Sequence, residues 1–222
     1  MNRKEKWILK CEALQSQGVE IFDKYTTYID DDVKIGKDSI IYPNVMIRKG
    51  SKIGKKCVIL SNSVIEASII GDDVHIDSSK IDESEVGDGS IVGPMSHLRN
   101  HTKIVGAARI GNFVEMKNTV FGKGSKCAHL TYLGDSDIGE NVNVGCGVVT
   151  VNYDGKNKFR TCIKDGAFIG SNVNLIAPVM VGENTVLAAG STVDHDVEDG
   201  AMAIARVRQE NKTGAGLKYK NK

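Results

Sequence analysis

The sequence predicts an all-β fold: a parallel β-helix built from hexapeptide repeats, with a short N-terminal helix and an irregular C-terminal tail. Two observations carry this. Aliphatic residues recur at every sixth position in three runs: Ile35, Ile41, Ile47, Ile53, Ile59, Ile65; then Val86, Val92, Leu98, Ile104, Ile110, Met116; then Ile163, Ile169, Leu175, Val181, Leu187, Val193. An amphipathic helix repeats near 3.6 residues and a half-buried strand at 2, so a beat of six needs a repeat unit of its own. Glycine follows many of the aliphatic residues, as in Ile35-Gly36, Ile53-Gly54, Val86-Gly87, Ile110-Gly111, Ile138-Gly139, Ile169-Gly170 and Val181-Gly182. It gives the backbone the freedom a bend requires. Three hexapeptides make one triangular coil, giving roughly ten coils of about 18 residues each, every coil burying its inward row against its neighbours.

Before the first coil, Trp7, Ile8, Cys11 and Leu14 fall at helical spacing within Lys4 to Leu14, and Gly18 follows as a stop. Residues 1–18 are therefore expected to form a helix that caps the open end of the solenoid, whose exposed edge would otherwise pair with other chains. Residues 19–206 form the solenoid. Residues 207–222 form the tail, where Lys212, Lys218, Lys220 and Lys222 sit among Gly, Asn and Thr; a solvated terminus accounts for them as well as a ligand does. The beat slips between Ile65 and Val86, and is interrupted between Met116 and Ile138 and between Thr150 and Ile163. Interruptions are where loops are expected to leave the prism.

Lys+Arg number 29 against 28 Asp+Glu, a balance that points to no nucleic-acid partner and no acidic membrane surface. Five widely spaced cysteines with no Cys-x-x-Cys argue against a disulfide framework and a zinc site. With no apolar run of signal-peptide or membrane-span length, a cytoplasmic protein is the simplest expectation.

The richest polar stretch runs from Arg99 to Lys158. Arg99 and Lys117 are 18 residues apart and are expected to stack on successive coils. Two stacked cations repel unless an anion bridges them, and phosphate is the obvious candidate. His129, with Tyr132 and Asn143, is expected to close a small polar pocket around that anion. Glu115 is close enough in register to hold one His129 ring nitrogen, an arrangement suited to a general base. The segment Asn152 to Lys158 turns at Asp154-Gly155 and is expected to replace about two hexapeptides as a projecting loop. Each residue has a plainer reading, since charged side chains on a solenoid face are usually solvated. The crowding of so many into one stretch favours a site. His75, His97, His101 and His195 are read as structural or surface residues.

The runs GNFVEMK from Gly111, HLTYLGD from His129, NVNVGCG from Asn141, VNYDGKNKF from Val151 and the segment Ile204 to Arg206 closely resemble the C-terminal acetyltransferase domain of the bifunctional bacterial glucosamine-1-phosphate N-acetyltransferase/uridyltransferase. The resemblance runs from about Gly18 to about Gln209. It implies a left-handed β-helix, an exception to the usual right-handed crossover, assembled as a homotrimer with acetyl-CoA in the groove between prisms. It implies acetyl transfer to the 2-amino group of glucosamine-1-phosphate, toward UDP-N-acetylglucosamine, a cell-envelope precursor.

By the same resemblance, Arg99, Lys117 and Lys158 hold the sugar phosphate, and Tyr132 and Asn143 contact sugar and phosphate. His129 is the base, supported by Glu115, and Asn152 anchors the amine. Cys146, through its backbone, meets the acetyl carbonyl, while Tyr153, Ser171, Ala189 and Arg206 contact acetyl-CoA. Ala128, Cys146 and Asn100 depart from the usual Gly, Ala and Pro. Nothing resembles the Gly-rich nucleotidyltransferase signature, so neither uridyl transfer nor a catalytic metal is expected. An acetyltransferase for a nucleotide-linked amino sugar and a non-catalytic scaffold remain as alternatives. A β-helix carbonic anhydrase is disfavoured, because the histidines are not at coil spacing.

Overall fold

The computed structural model describes residues 2–219; Lys220 and Lys222 of the basic tail lie outside the described residues. The chain winds as a left-handed parallel β-helix of three faces. Most strands are two or three residues long, and each pairs in parallel with its counterpart one coil on: Ile35 with Ile53 on one face, Ile41 with Ile59 on the next, Ile47 with Ile65 on the third. One face is a nine-stranded sheet. The other two merge into a 19-stranded sheet, because the strands Arg109–Lys117 and Lys126–Gly134 run nine residues each, continuously round a corner.

The hexapeptide beat marks the inward residues. Ile41, Ile47, Ile59, Ile65, Ile110 and Met116 are wholly buried, each contributing about 1.5–3 kcal/mol of burial. Two residues before the inward aliphatic lies a second buried position filled by a small side chain: Ser39, Ser51, Ser63, Ser90, Thr102, Thr119, Ser125 and Thr131. The bend leaves little room there, and its peptide groups need partners away from water. Ser125 meets both needs, donating from Oγ to the Gly139 carbonyl at 2.7 Å and accepting from the Val142 N–H at 2.9 Å. At Gly111 a Cβ would overlap the Ala128 carbonyl of the next coil, whereas Ala128 itself carries a Cβ at the equivalent place.

The helix runs Arg3–Ser16, slightly longer than its apolar spacing predicts. It opens with a capping box between Asn2 and Glu5, and Gln17 closes it. Cys11 and Leu14 enter the core of the first coil, while Trp7 Nε1 donates to Asp30 at 3.1 Å.

Two expectations about the beat are corrected. Between Met116 and Ile138 no loop leaves the prism: the inward row continues through Phe121, Cys127 and Leu133, all wholly buried, and the coil is merely shortened by five-residue steps at two corners. The segment after Thr150 replaces no hexapeptides either. The strands Val149–Val151 and Thr161–Ile163 occupy consecutive faces, so residues 152–160 are an insertion at one corner. They form a hairpin with an antiparallel bridge between Tyr153 and Lys158. Asp154 accepts from the N–H groups of Lys156 and Asn157 at 2.8 and 2.6 Å, and these bonds lower its carboxyl pKa.

Candidate active site

The cations gather at one edge of a face. Arg99 stands in register with Lys117 on adjacent strands, as their spacing predicts, and the inserted hairpin brings Lys158 close enough for the Lys117 charge to act on it. The stack is not bare. Arg99 donates to Glu115, Nη2 to Oε1 at 2.6 Å and Nε to the same oxygen at 2.8 Å. Lys117 Nζ meets both Asp135 oxygens at 3.1 and 3.3 Å. The expected repulsion between the cations is thus offset by the chain's own carboxylates, and an incoming anion would share or displace them.

Asp135 is the residue that sequence reasoning missed. Its carboxylate is nearly buried, with its side chain 9% exposed, and accepts from Lys117, from Asn118 Nδ2 at 2.6 Å and from Asn152 Nδ2. Burial works to raise its pKa, yet the donors Asn118, Lys117 and Asn152 outweigh burial and hold it below the usual carboxylate value. For Lys117, burial opposes the charge, but the hydrogen bonds to the Asp135 carboxylate prevail and raise its pKa. Lys158 moves the other way. Crowding against the Lys117 ammonium lowers its pKa. The signal was available in the sequence: Asn118 to Asp135 and Asp135 to Asn152 are each 17 residues, one shortened coil.

A second group forms a column along another corner. Asn112 pairs with His129, and the strand registers carry the same corner position onward to Cys146, Ser171 and Ala189. The Cys146 carbonyl accepts from Asn172 at 2.7 Å and that of Ser171 from Gly190 at 2.8 Å. Among the described residues, the N–H groups of Cys146, Ser171 and Ala189 donate to no protein acceptor, which leaves them free for a ligand. Arg206 lies beside Gly190, at the head of this column. Beside His129 stand Phe113 and Leu130, 59% and 61% exposed, with φ of +57° and +46°. Bulky residues rarely hold that backbone region.

Three expectations change here. Glu115 does not hold His129. The corner at Phe113 and Leu130 separates them, and Glu115 stands in register with Tyr132 and with His97 while its carboxylate bonds Arg99. Asn143 lies opposite Lys126 on the far side of the corner from Tyr132, so His129, Tyr132 and Asn143 flank a convex edge and do not enclose a pocket within one chain. His97 is less ordinary than its surroundings in the sequence suggest: it lies between Lys80 and Glu115, with Nε2 enclosed and without a hydrogen-bond partner among the described residues, and burial followed by the Lys80 charge lowers its pKa. Tyr153 sits on the exposed hairpin, its hydroxyl donating to the Gly155 carbonyl at 2.7 Å.

Fold and repeat define the class as a hexapeptide-repeat β-helix. Residues 163–195 match the bacterial transferase hexapeptide model and residues 24–108 the model of the GMPPB C-terminal domain. The UDP-N-acetylglucosamine acyltransferases of Arabidopsis and Campylobacter jejuni have similar structures: TM-scores 0.58 and 0.59, identities 14% and 15%, covering 92% and 84% of this chain and 76% and 71% of theirs. These likenesses concern the fold alone. The particular likeness is to the C-terminal part of the bifunctional protein GlmU. Identity is 54% over 201 residues to that of Shouchella clausii and 53% over 203 residues to that of Clostridioides difficile, covering 90% and 91% of this chain. The chain spans 44% of the length of these curated relatives.

Proposed function

We propose that the chain transfers the acetyl group of acetyl-CoA to the 2-amino group of glucosamine-1-phosphate, giving N-acetylglucosamine-1-phosphate for UDP-N-acetylglucosamine synthesis. The observation that carries this reading is the cation cluster of Arg99, Lys117 and Lys158 at one edge of a face whose other edge bears His129. A sugar phosphate held by these cations would lie over Glu115 and Tyr132, and its amine, on the carbon next to the phosphate-bearing one, would meet a His129 brought up by a neighbouring copy. The sequence likeness to GlmU proteins supports the substrate pair.

In this mechanism Arg99, Lys117 and Lys158 hold the phosphate, with Tyr132 against the sugar ring and Asn143 of a neighbouring copy completing the polar surround. Asn152 orients the amine. His129 takes a proton from the nitrogen as its lone pair attacks the thioester carbonyl. The Cys146 N–H donates to the oxyanion of the tetrahedral intermediate. The C–S bond then breaks and the CoA thiolate leaves, taking up the proton that His129 received. Ser171 and Ala189 line the groove for the pantetheine arm, Tyr153 leans over it, and Arg206 meets a CoA phosphate. Glu115 stores Arg99 until phosphate arrives. The steps balance with no metal ion.

One chain presents the His129 column on a convex edge, so a groove needs a second wall. The exposed Phe113 and Leu130 beside it fit burial against another copy, and we take the working assembly to be a homotrimer. Among the described residues no helix is long and apolar enough to cross a membrane. The deciding experiment is an acetyl-transfer assay with glucosamine-1-phosphate against UDP-linked amino sugars. Turnover confined to the free sugar phosphate is expected; preference for the nucleotide-linked sugar, or no turnover with either, would overturn the assignment.

A further inference from the structure

We propose that Asp135 and Asp137 form a clasp that pins both ends of the inserted hairpin and so positions Asn152, Lys158 and Lys117 for the substrate. The inference rests on the function proposed above and assigns these two carboxylates a part that the family resemblance did not supply. They flank Ser136 on a single short strand, Ser136–Ile138, and its approach. Each takes one end of the insertion. At the first end, Asp135 accepts from the amide of Asn152, and its other bonds fix Lys117 and Asn118. At the second end, Arg160 donates to Asp137 through Nε and Nη2, both at 2.6 Å, a bidentate pair. The same guanidinium reaches the carbonyls of Ser136 and Asn118 at 3.1 and 3.3 Å. Arg160 raises no question of a spare cation at the phosphate site, because all of these bonds point it into the clasp.

Between the two anchors the hairpin is otherwise exposed, from Tyr153 through Lys158. Its own bonds shape the turn but do not attach it to the prism. The position of Lys158 above Lys117 therefore depends on where the ends are held. The two anchors differ in reach. Asp135 touches a phosphate ligand and the amine anchor directly, whereas Asp137 acts only through Arg160. Both are positioning residues: Asp135 acts through Lys117 and Asn152, and Asp137 through Arg160.

The test uses the full chain with Asp135→Asn, Asp137→Asn, Arg160→Ala and the double variant Asp137→Asn/Arg160→Ala. Melting and oligomeric state are measured beside kcat and KM for both substrates. Asp137→Asn is expected to raise KM for glucosamine-1-phosphate by roughly tenfold, the scale of one lost charge-assisted contact, with kcat nearly unchanged. Arg160→Ala should raise it at least as much, since the bonds to the Ser136 and Asn118 carbonyls go with it, and the double variant no more than Arg160→Ala, because the pair with Asp137 is already lost there. Asp135→Asn should raise KM and also lower kcat, since the amine anchor shifts with it. A folded Asp137→Asn protein with unaltered KM for the sugar phosphate overturns the clasp, as do strictly additive effects of Asp137 and Arg160. That pair is half-exposed, so these variants decide the matter even if Asp135→Asn fails to fold. A wild-type protein that does not acetylate glucosamine-1-phosphate would instead refute the function, and this inference with it.

Discussion

Removing Arg99 and Lys117, singly and together, probes the cation cluster most directly, because the two residues share a register but not a setting. Arg99 pairs with Glu115 where both side chains are partly open, 31% and 40% exposed. Breaking such a pair costs about 0–1 kcal/mol of stability. Lys117 pairs with Asp135 at 15% and 9% exposure, and Lys117→Ala leaves a nearly buried carboxylate with its amide donors only. A buried carboxylate stripped of its cation costs about 3–5 kcal/mol; the two remaining amides and partial exposure put this case nearer 2–3 kcal/mol. Arg99→Ala is therefore expected to melt close to the wild type and Lys117→Ala clearly lower. In catalysis the two should look alike. Each loses a charged hydrogen bond to phosphate of about 1.5–3 kcal/mol, or roughly 10- to 150-fold in KM for the sugar phosphate, with kcat little changed because the phosphate charge is constant through acetyl transfer. Initial rates across a sugar-phosphate titration, with thermal melts, measure both effects. The double variant decides the argument: a shared anion requires a coupling above about 0.5 kcal/mol, and additivity would show that the two cations do not meet on one phosphate.

His129→Ala is expected to lower turnover at pH 7 by about 10²–10⁴-fold, the range for loss of a general base, without changing the oligomeric state; near-full turnover at that pH would remove His129 from the chemistry. Because Lys117 and its charge lower the Lys158 pKa, Lys158 loses its proton at a lower pH than an ordinary lysine. Phosphate binds the protonated form, so affinity for N-acetylglucosamine-1-phosphate, measured by calorimetry to avoid titrating a substrate amine, should weaken as pH rises through that lowered value. Lys158→Arg should move the onset upward, since guanidinium keeps its proton; an unmoved profile would exclude Lys158 as its cause. Arg206→Ala should weaken acetyl-CoA more than a dephosphorylated analogue, and equal losses in binding measurements would take Arg206 out of the phosphate contact.

The sequence by itself determined the architecture and the inward row. A β-helix repeats along the chain, so the beat of six that buries Ile41, Ile47 and Ile59 is written in consecutive residues, and the spacing of 18 that stacks Arg99 on Lys117 follows from the length of a coil. The column from His129 through Cys146 and Ser171 to Ala189 was marked only by likeness to a known family, yet its members share one corner for the same reason of register. What the tertiary structure decided is lateral: which side chains meet around a corner and what an insertion reaches. Glu115 and His129 are near in register, but the bend at Phe113 and Leu130 turns them onto different sides, and Glu115 takes Arg99 instead. The shortened coils change a repeat of 18 into 17, which brings Asn118, Asp135 and Asn152 together and hides them from a search at the regular spacing. The hairpin returns through Arg160 to Asp137, 23 residues back, at no multiple of the repeat. Contacts made along the helix axis follow the period and can be counted from the sequence; contacts made across its corners depend on the bend and on side-chain reach, which the period does not contain.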